Sequence, residues 1–315
     1  MNKKKKILIT GGAGYLGSMI ATYLVKEGHE VTIIDKLVFS KSSLLHLYFF
    51  KNFKFIHGNV LDIKLIKKNL KNKDFIIPLA ALVGAPLCDK HPRLTKLLNV
   101  EAIRTICKLS SSKQKIIYLT SNSGYGIGKK DKYCDENSPL NPVSLYGRTK
   151  NDAEKIVMKR GNCVAFRLAT VFGFSYRMRT DLLVNFMVLK ALKELEIKVF
   201  EPHFRRNFIH VRDVASAILF SVKNFQKIKN NTYNLGLSTA NITKLNLLKK
   251  IKKYVPKLKI KINNKLKDPD QRDYFVSNKK IEKAGFRASI SLETGIKELL
   301  QVFEIIKNKK FKNNY

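Results

Sequence analysis

One segment, "KILITGGAGYLGSMIATYLVKEGHEVTIID", limits the possible folds more than any other part of the chain. "KILIT" (Lys6–Thr10) and "EVTIID" (Glu30–Asp35) are short apolar strands, and "YLGSMIATYLVKEG" between them is spaced as a helix that ends at Gly28. Two strands joined by a helix pair in parallel through a crossover. The loop after the first strand satisfies G-x-G-x-x-G through Gly12, Gly14 and Gly17, and G-x-x-G-x-x-G through Gly11, Gly14 and Gly17. Glycine there permits a tight turn, a close approach of backbone to a pyrophosphate, and packing of helix on strand. The pyrophosphate would meet the N–H groups at the helix start, beside Tyr15 and Leu16. Asp35, ending the second strand, would accept bonds from the adenosine ribose hydroxyls and repel a 2′-phosphate, which favours NAD over NADP.

The same alternation continues through the first half of the chain. Strands are expected at Phe53–Gly58, Asp74–Ala80, Lys115–Thr120 and Cys163–Leu168, and helices at Ile63–Leu70, Leu94–Ser110 and Ser144–Lys159. Short apolar strands alternating with amphipathic helices build a parallel sheet covered on both faces. The expected fold is therefore α/β, a Rossmann-type doubly wound parallel sheet. Beyond Ala169 the rhythm breaks, loops lengthen and arginines cluster in "YRMRT" and "HFRRN". Residues 1–169 are expected to form the cofactor domain and 170–315 a smaller, partly interleaved lobe for substrate, with a segment near 206–236 returning to the first domain.

The charge of +37 comes from 61 lysines and arginines against 24 acids. Lysines occur in nearly every segment, so no basic region stands apart as a nucleic-acid surface would. They read as solvated surface, and no nucleic-acid partner is expected. The four cysteines have no C-x-x-C spacing and the histidines no H-E-x-x-H, so neither a disulfide framework nor a metal site is expected. No apolar run approaches the roughly 20 residues of a membrane span, and the amino terminus lacks a signal-peptide core. A cytoplasmic protein is expected.

Tyr-x-x-x-Lys occurs twice, in "YGIGK" (Tyr125–Lys129) and in "SLYGRTK" (Ser144–Lys150). The first contains two glycines and lies in a loop, where nothing would align the side chains. The second opens a helix, which puts Tyr146 and Lys150 on one face. A free phenol, with a pKa of about 10, is a poor base at neutral pH. A lysine beside it, and the positive charge of NAD⁺, would favour the phenolate by about 1–3 units. That phenolate could take a proton from a sugar hydroxyl while the carbon gives hydride to the nicotinamide. "LTSNSGYG", after the fifth strand, offers hydroxyls to hold the oxygen.

With the glycine loop, this serine-rich turn and Tyr-x-x-x-Lys, the chain resembles an extended short-chain dehydrogenase/reductase of the nucleotide-sugar epimerase/dehydratase group. The likeness continues through "RLATVFG", "RRNFIHVRDV", "YNLG" and "DPDQRDY". It implies NAD as cofactor and a nucleotide sugar as substrate. Ser121 would be the hydroxyl partner, Tyr146 the general base and Lys150 the residue that holds the nicotinamide ribose and lowers the tyrosine pKa. Asp62 would meet the adenine amino group, Leu79, Ala80 and Ala81 would lie along the cofactor, and Asn99 beneath it. Arg206 would pair with the nucleotide diphosphate and Arg272 would be a second phosphate ligand. Asn122, Ser123, Thr170 and Asn185 would line the substrate. The helices near Leu94–Ser110 and Ser144–Lys159 resemble those that pair subunits in this group, which implies a homodimer.

Members of the group oxidise a sugar hydroxyl, usually at C4, and differ in the later steps. Dehydratases carry Asp-Glu after the serine; Asn122 and Ser123 cannot act as acid and base near pH 7. The group's R-x-x-N after the sixth strand reads Arg167-Leu-Ala-Thr170 here. A closer resemblance, through "PLAALVGAPLC", "NSGYGIG", "RLATVFG", "DLLVN" and "HFRRNFIHVRDV", is to GDP-manno-heptose 4-dehydrogenases of bacterial surface-polysaccharide pathways. These release the 4-keto sugar, so NADH must be reoxidised by a second substrate. A small keto acid is one candidate, its carboxylates received by "YRMRT" and "HFRRN". 4-Epimerisation stays open, as does a non-catalytic NAD-binding regulator, which would be expected to lose the tyrosine or the lysine.

Overall fold

Lys6–Thr10 (β1) is buried from Ile7 onward and lies inside a seven-stranded sheet, as an apolar strand with both faces covered must. The computed structural model describes residues 4–128, 132–263, 272–306 and 313; Lys129 and "DPDQ" lie outside them. β2 (Glu30–Asp35) and β3 (Phe53–His57) extend the sheet on one side. β4 (Phe75–Pro78), β5 (Lys115–Ser121), β6 (Cys163–Leu168) and β7 (Asn231–Leu235) extend it on the other. The order is β7-β6-β5-β4-β1-β2-β3, with every pairing parallel. The sheet is Rossmann-like. Its growth reverses between β1 and β4, and in such sheets ligands bind beyond the carboxyl ends of the strands at that point.

Alternate residues of β1 face opposite cores. Ile7 and Ile9 join one apolar cluster with α1 (Tyr15–Lys26), while Leu8 joins another with α3 (Ala102–Leu109). Asp62 caps the intervening α2 (Ile63–Leu70), its side chain accepting from Leu65 N at 3.0 Å. α4 (Leu145–Arg160) begins at Ser144, whose Oγ accepts from Gly147 N at 3.1 Å. That cap fixes the first turn, and so the direction of Tyr146.

The helix expected over Leu94–Ser110 is divided into Pro92–Lys96, a wide π turn at Leu97–Glu101, and α3. Asn99 lies in the turn and bonds both the N–H and the C=O of Leu82, at 2.9 and 3.0 Å. After β6 the chain leaves the main sheet. Arg205–His210 pairs with Thr170–Phe172 and Asn241–Thr243 in a three-stranded sheet, and between these last two β7 returns to the edge of the large one. No helix among the described residues is long and apolar enough to cross a membrane.

Candidate active site

The glycine loop presses against the end of β4. Gly11 has φ +73°, and a Cβ there would lie 2.5 Å from Ala80 N; one on Gly17 would lie 2.6 Å from Gly11 O. Only glycine fits either position. Gly14 precedes α1 with no side chain bonded over the helix start. Asp35 is held at the mouth of the crevice, its carboxylate accepting from Ala13 N at 2.9 Å and Leu37 N at 2.7 Å.

These elements wall one end of a cavity of about 470 Å³. Gly11, Gly14, Tyr15, Leu16, Gly17 and Asp35 line it there, with Leu79, Ala80 and Ala81 alongside. At the other end are Ser121, Ser123, Tyr146, Lys150, Thr170 and Arg272. Residues more than 200 positions apart thus meet in one cleft.

The Ser121 hydroxyl lies near enough to the Tyr146 phenol to favour its ionised form. It accepts from Ser123 N at 3.2 Å and Ser123 Oγ at 2.9 Å. Lys150 is 7% exposed, with Nζ 4.3 Å from the centre of the Tyr118 ring. Burial pushes the lysine down to about 7, against the pull of Glu154 one turn further on. Tyr146 keeps some exposure through the cavity, but its hydroxyl lies among protein atoms. Burial and the nearby Cys88 push the phenol up to about 12, while Arg272, Arg179 and Ser121 act the other way. Burial thus outweighs the charges that favour the phenolate. Spacing aligns the pair, but burial disfavours the charged form of each, so the phenolate needs a further positive charge.

The lysine has a consequence for stability. Its pKa is about 7 folded and near 10.5 unfolded, so between those values the unfolded chain holds a proton that the folded one has released. Stability then rises with pH across that window, and below pH 7 the full cost of the buried ammonium is present. In cofactor-free protein, the gain in Tm from Lys150→Met should be largest near pH 7 and shrink towards pH 10. A gap independent of pH would mean that the buried lysine keeps its charge.

The profile of the NAD dependent epimerase/dehydratase family matches residues 7–236. The chain belongs to this family. A UDP-glucose 4-epimerase from Lactobacillus helveticus is 27% identical, over 73% of this chain and 76% of its own. A CDP-paratose 2-epimerase from Salmonella typhi is 26% identical, over 93% and 98%. Among solved structures, a UDP-glucuronic acid 4-epimerase from Bacillus cereus, determined with NAD, superposes with a TM-score of 0.85 at 21% identity, covering 96% of this chain and 99% of its own.

The protein is thus an NAD-dependent enzyme of the epimerase/dehydratase family, and its residues fit the cofactor. The backbone cradle that a Cβ would fill at Gly11 and Gly17 lies beside an uncapped helix start, where a pyrophosphate is favoured. Asp35 stands at the end of β2, where a ribose is held in such sheets.

Five of the residues singled out from sequence do not line the cavity. Asp62 caps α2. Asn99 is spent on the Leu82 backbone and on Thr149, at 3.3 Å, so it braces the loop beside the cofactor site. Asn185 bonds Gly173 N at 3.0 Å and Arg179 O at 2.8 Å, leaving its amide no reach towards a substrate. Arg206 is 3% exposed and donates to Arg205 O at 3.0 Å. Asn122 is 2% exposed, its amide unbonded among the described residues. Tyr125, of the other Tyr-x-x-x-Lys, is a core residue that donates to Asp135 O and to Asn234 Oδ1, at 2.8 and 2.7 Å. Sequence reading missed Phe39, Asn59, Val60 and Leu61, which line the cavity. Arg177 and Arg179 of "YRMRT", offered from the sequence as receivers of a keto acid's carboxylates, line it too.

Proposed function

We propose that the enzyme oxidises a nucleotide-activated sugar at C4 and releases the 4-keto sugar. The observation that carries this reading is the meeting of Ser121, Tyr146 and Lys150 at one end of a cavity whose other end fits NAD. NAD, when bound, accepts the hydride that leaves the sugar carbon. Tyr146 takes the proton of the C4 hydroxyl, and Ser121 holds that oxygen. Lys150 orients the nicotinamide ribose, and Arg272 meets the nucleotide diphosphate. Asn122 and Ser123 supply no acid–base pair, so no water is eliminated.

On the likeness carried by "PLAALVGAPLC" and "HFRRNFIHVRDV", the substrate we propose is GDP-manno-heptose, from bacterial surface-polysaccharide synthesis. A small keto acid, reduced to its hydroxy acid, would restore the oxidised cofactor. Arg272 gives this end of the cavity the positive charge such an anion needs. A cytoplasmic homodimer fits the reading, with Leu94 and Leu97, 42% and 39% exposed, as apolar surface to be covered.

A second reading, 4-epimerisation with NAD retained, is favoured by the L. helveticus and B. cereus relatives. The mass of the product from a panel of GDP- and UDP-sugars, with and without a keto acid, separates the two. Loss of two hydrogens that depends on the keto acid is expected. An unchanged mass with a new sugar isomer would make the enzyme an epimerase, and loss of water would overturn the reading of Asn122 and Ser123.

A further inference from the structure

Phe39 and Arg177 both line the cavity. Phe39 follows Asp35 by four residues, and the Arg177 guanidinium rests on its ring at 4.8 Å. The segment carrying Arg177 is tied to the first turn of α1. Gly173 O accepts from the Tyr15 hydroxyl at 2.8 Å, and Ser175 Oγ donates to Tyr15 O at 2.7 Å and meets Ser18 Oγ at 3.0 Å. Tyr176 stacks on His46 at 3.6 Å. Residues 173–181 therefore cross from the start of α1 to the chain beyond β2. The pyrophosphate and the adenosine ribose of a dinucleotide lie between those two points.

We propose that Arg177 is a ligand for the pyrophosphate of NAD, and that residues 173–181 form a clasp which retains the cofactor. A guanidinium fork matches phosphate oxygens, and such charge-assisted bonds are strong in a dry site. Arg177 holds its charge at a cost: burial and the like charge of Arg179 push it down to about 10, with Asp181 acting in the other direction. A doubly charged pyrophosphate beside it would favour that charge. Arg179, paired with the Asp181 carboxylate, shapes the clasp. The diphosphate of a nucleotide sugar has the same chemistry, but the seat on Phe39 ties Arg177 to the adenosine end. The inference rests on the family's cofactor and not on the sugar or the fate of its keto form.

Calorimetric titration of NAD, GDP and UDP into cofactor-stripped enzyme tests it. Arg177→Gln should weaken NAD by about 10- to 100-fold and leave GDP and UDP unchanged. The variant as purified should also release less NAD on denaturation than the parent does. Arg177→Lys, which keeps the charge and loses the fork, should fall between them, and Phe39→Ala should shift NAD in the same direction. These two variants carry the test if Arg177→Gln does not fold. An unchanged NAD affinity would overturn the proposal. So would a loss confined to GDP or UDP, which would give the arginine to the substrate, or equal losses for all three, which would mark general damage to the cavity.

Discussion

Tyr146→Phe lowers kcat by about 10²- to 10⁴-fold and leaves NAD affinity within about twofold of the parent. The ring that lines the cavity is kept, and only the hydroxyl beside Ser121 is lost. A proton transfer made only on the way to the transition state shows in kcat far more than in KM. The phenol also sets the pH dependence. Burial raises its pKa well above the ordinary phenol value, so without a positive charge beside it the phenol is a poor base at pH 7. A positive charge brought beside the phenol lowers that value, and activity should rise with pH until the phenolate is fully formed. In Tyr146→Phe the residual rate should lose this rise. A variant that keeps more than a tenth of the parent kcat would show that another group takes the proton.

The parts of this site that could be read from sequence are those set by neighbours along the chain. β1 is apolar because both its faces are covered, Gly11 and Gly17 are glycine because the backbone of the loop or of Leu79 and Ala80 just past β4 lies where a Cβ would, and Ser144 caps the helix that carries Tyr146 and Lys150. The rest depends on contacts between distant segments. The π turn at Leu97–Glu101 coincides with Asn99 bonding to Leu82, 17 positions earlier. Arg177 enters the cavity because Gly173 and Ser175 are bonded to Tyr15, some 160 positions before them. The charge state of Tyr146 and Lys150 depends on how dry the cleft is, and a four-residue spacing carries no information on that.

Arg167→Leu should be the most damaging single change to stability, costing about 3–5 kcal/mol. Arg167 and Glu154 are both buried and bonded twice over, with Nη2–Oε1 at 2.7 Å and Nε–Oε1 at 3.1 Å. The other guanidinium nitrogen donates to the Tyr125 hydroxyl and to Glu136 O, both at 3.1 Å. Burial opposes the arginine's charge, and the Glu154 carboxylate more than restores it, so its pKa ends above the ordinary range. Leucine at 167 would leave Glu154 charged, buried and without its cation, and would leave Glu136 O and the Tyr125 hydroxyl each without a donor. A fall in Tm of roughly 5–10 °C is expected. The double variant Glu154→Leu, Arg167→Leu should recover much of this, because it removes the stranded charge together with its partner. It should not recover the behaviour of Lys150, whose pKa Glu154 raises from one turn away. If the double variant is as unstable as Arg167→Leu, the cost lies in the bonds to Tyr125 and Glu136 and not in the ion pair. If both variants match the parent in Tm, the buried pair contributes nothing, and its place beside the lysine would need another explanation.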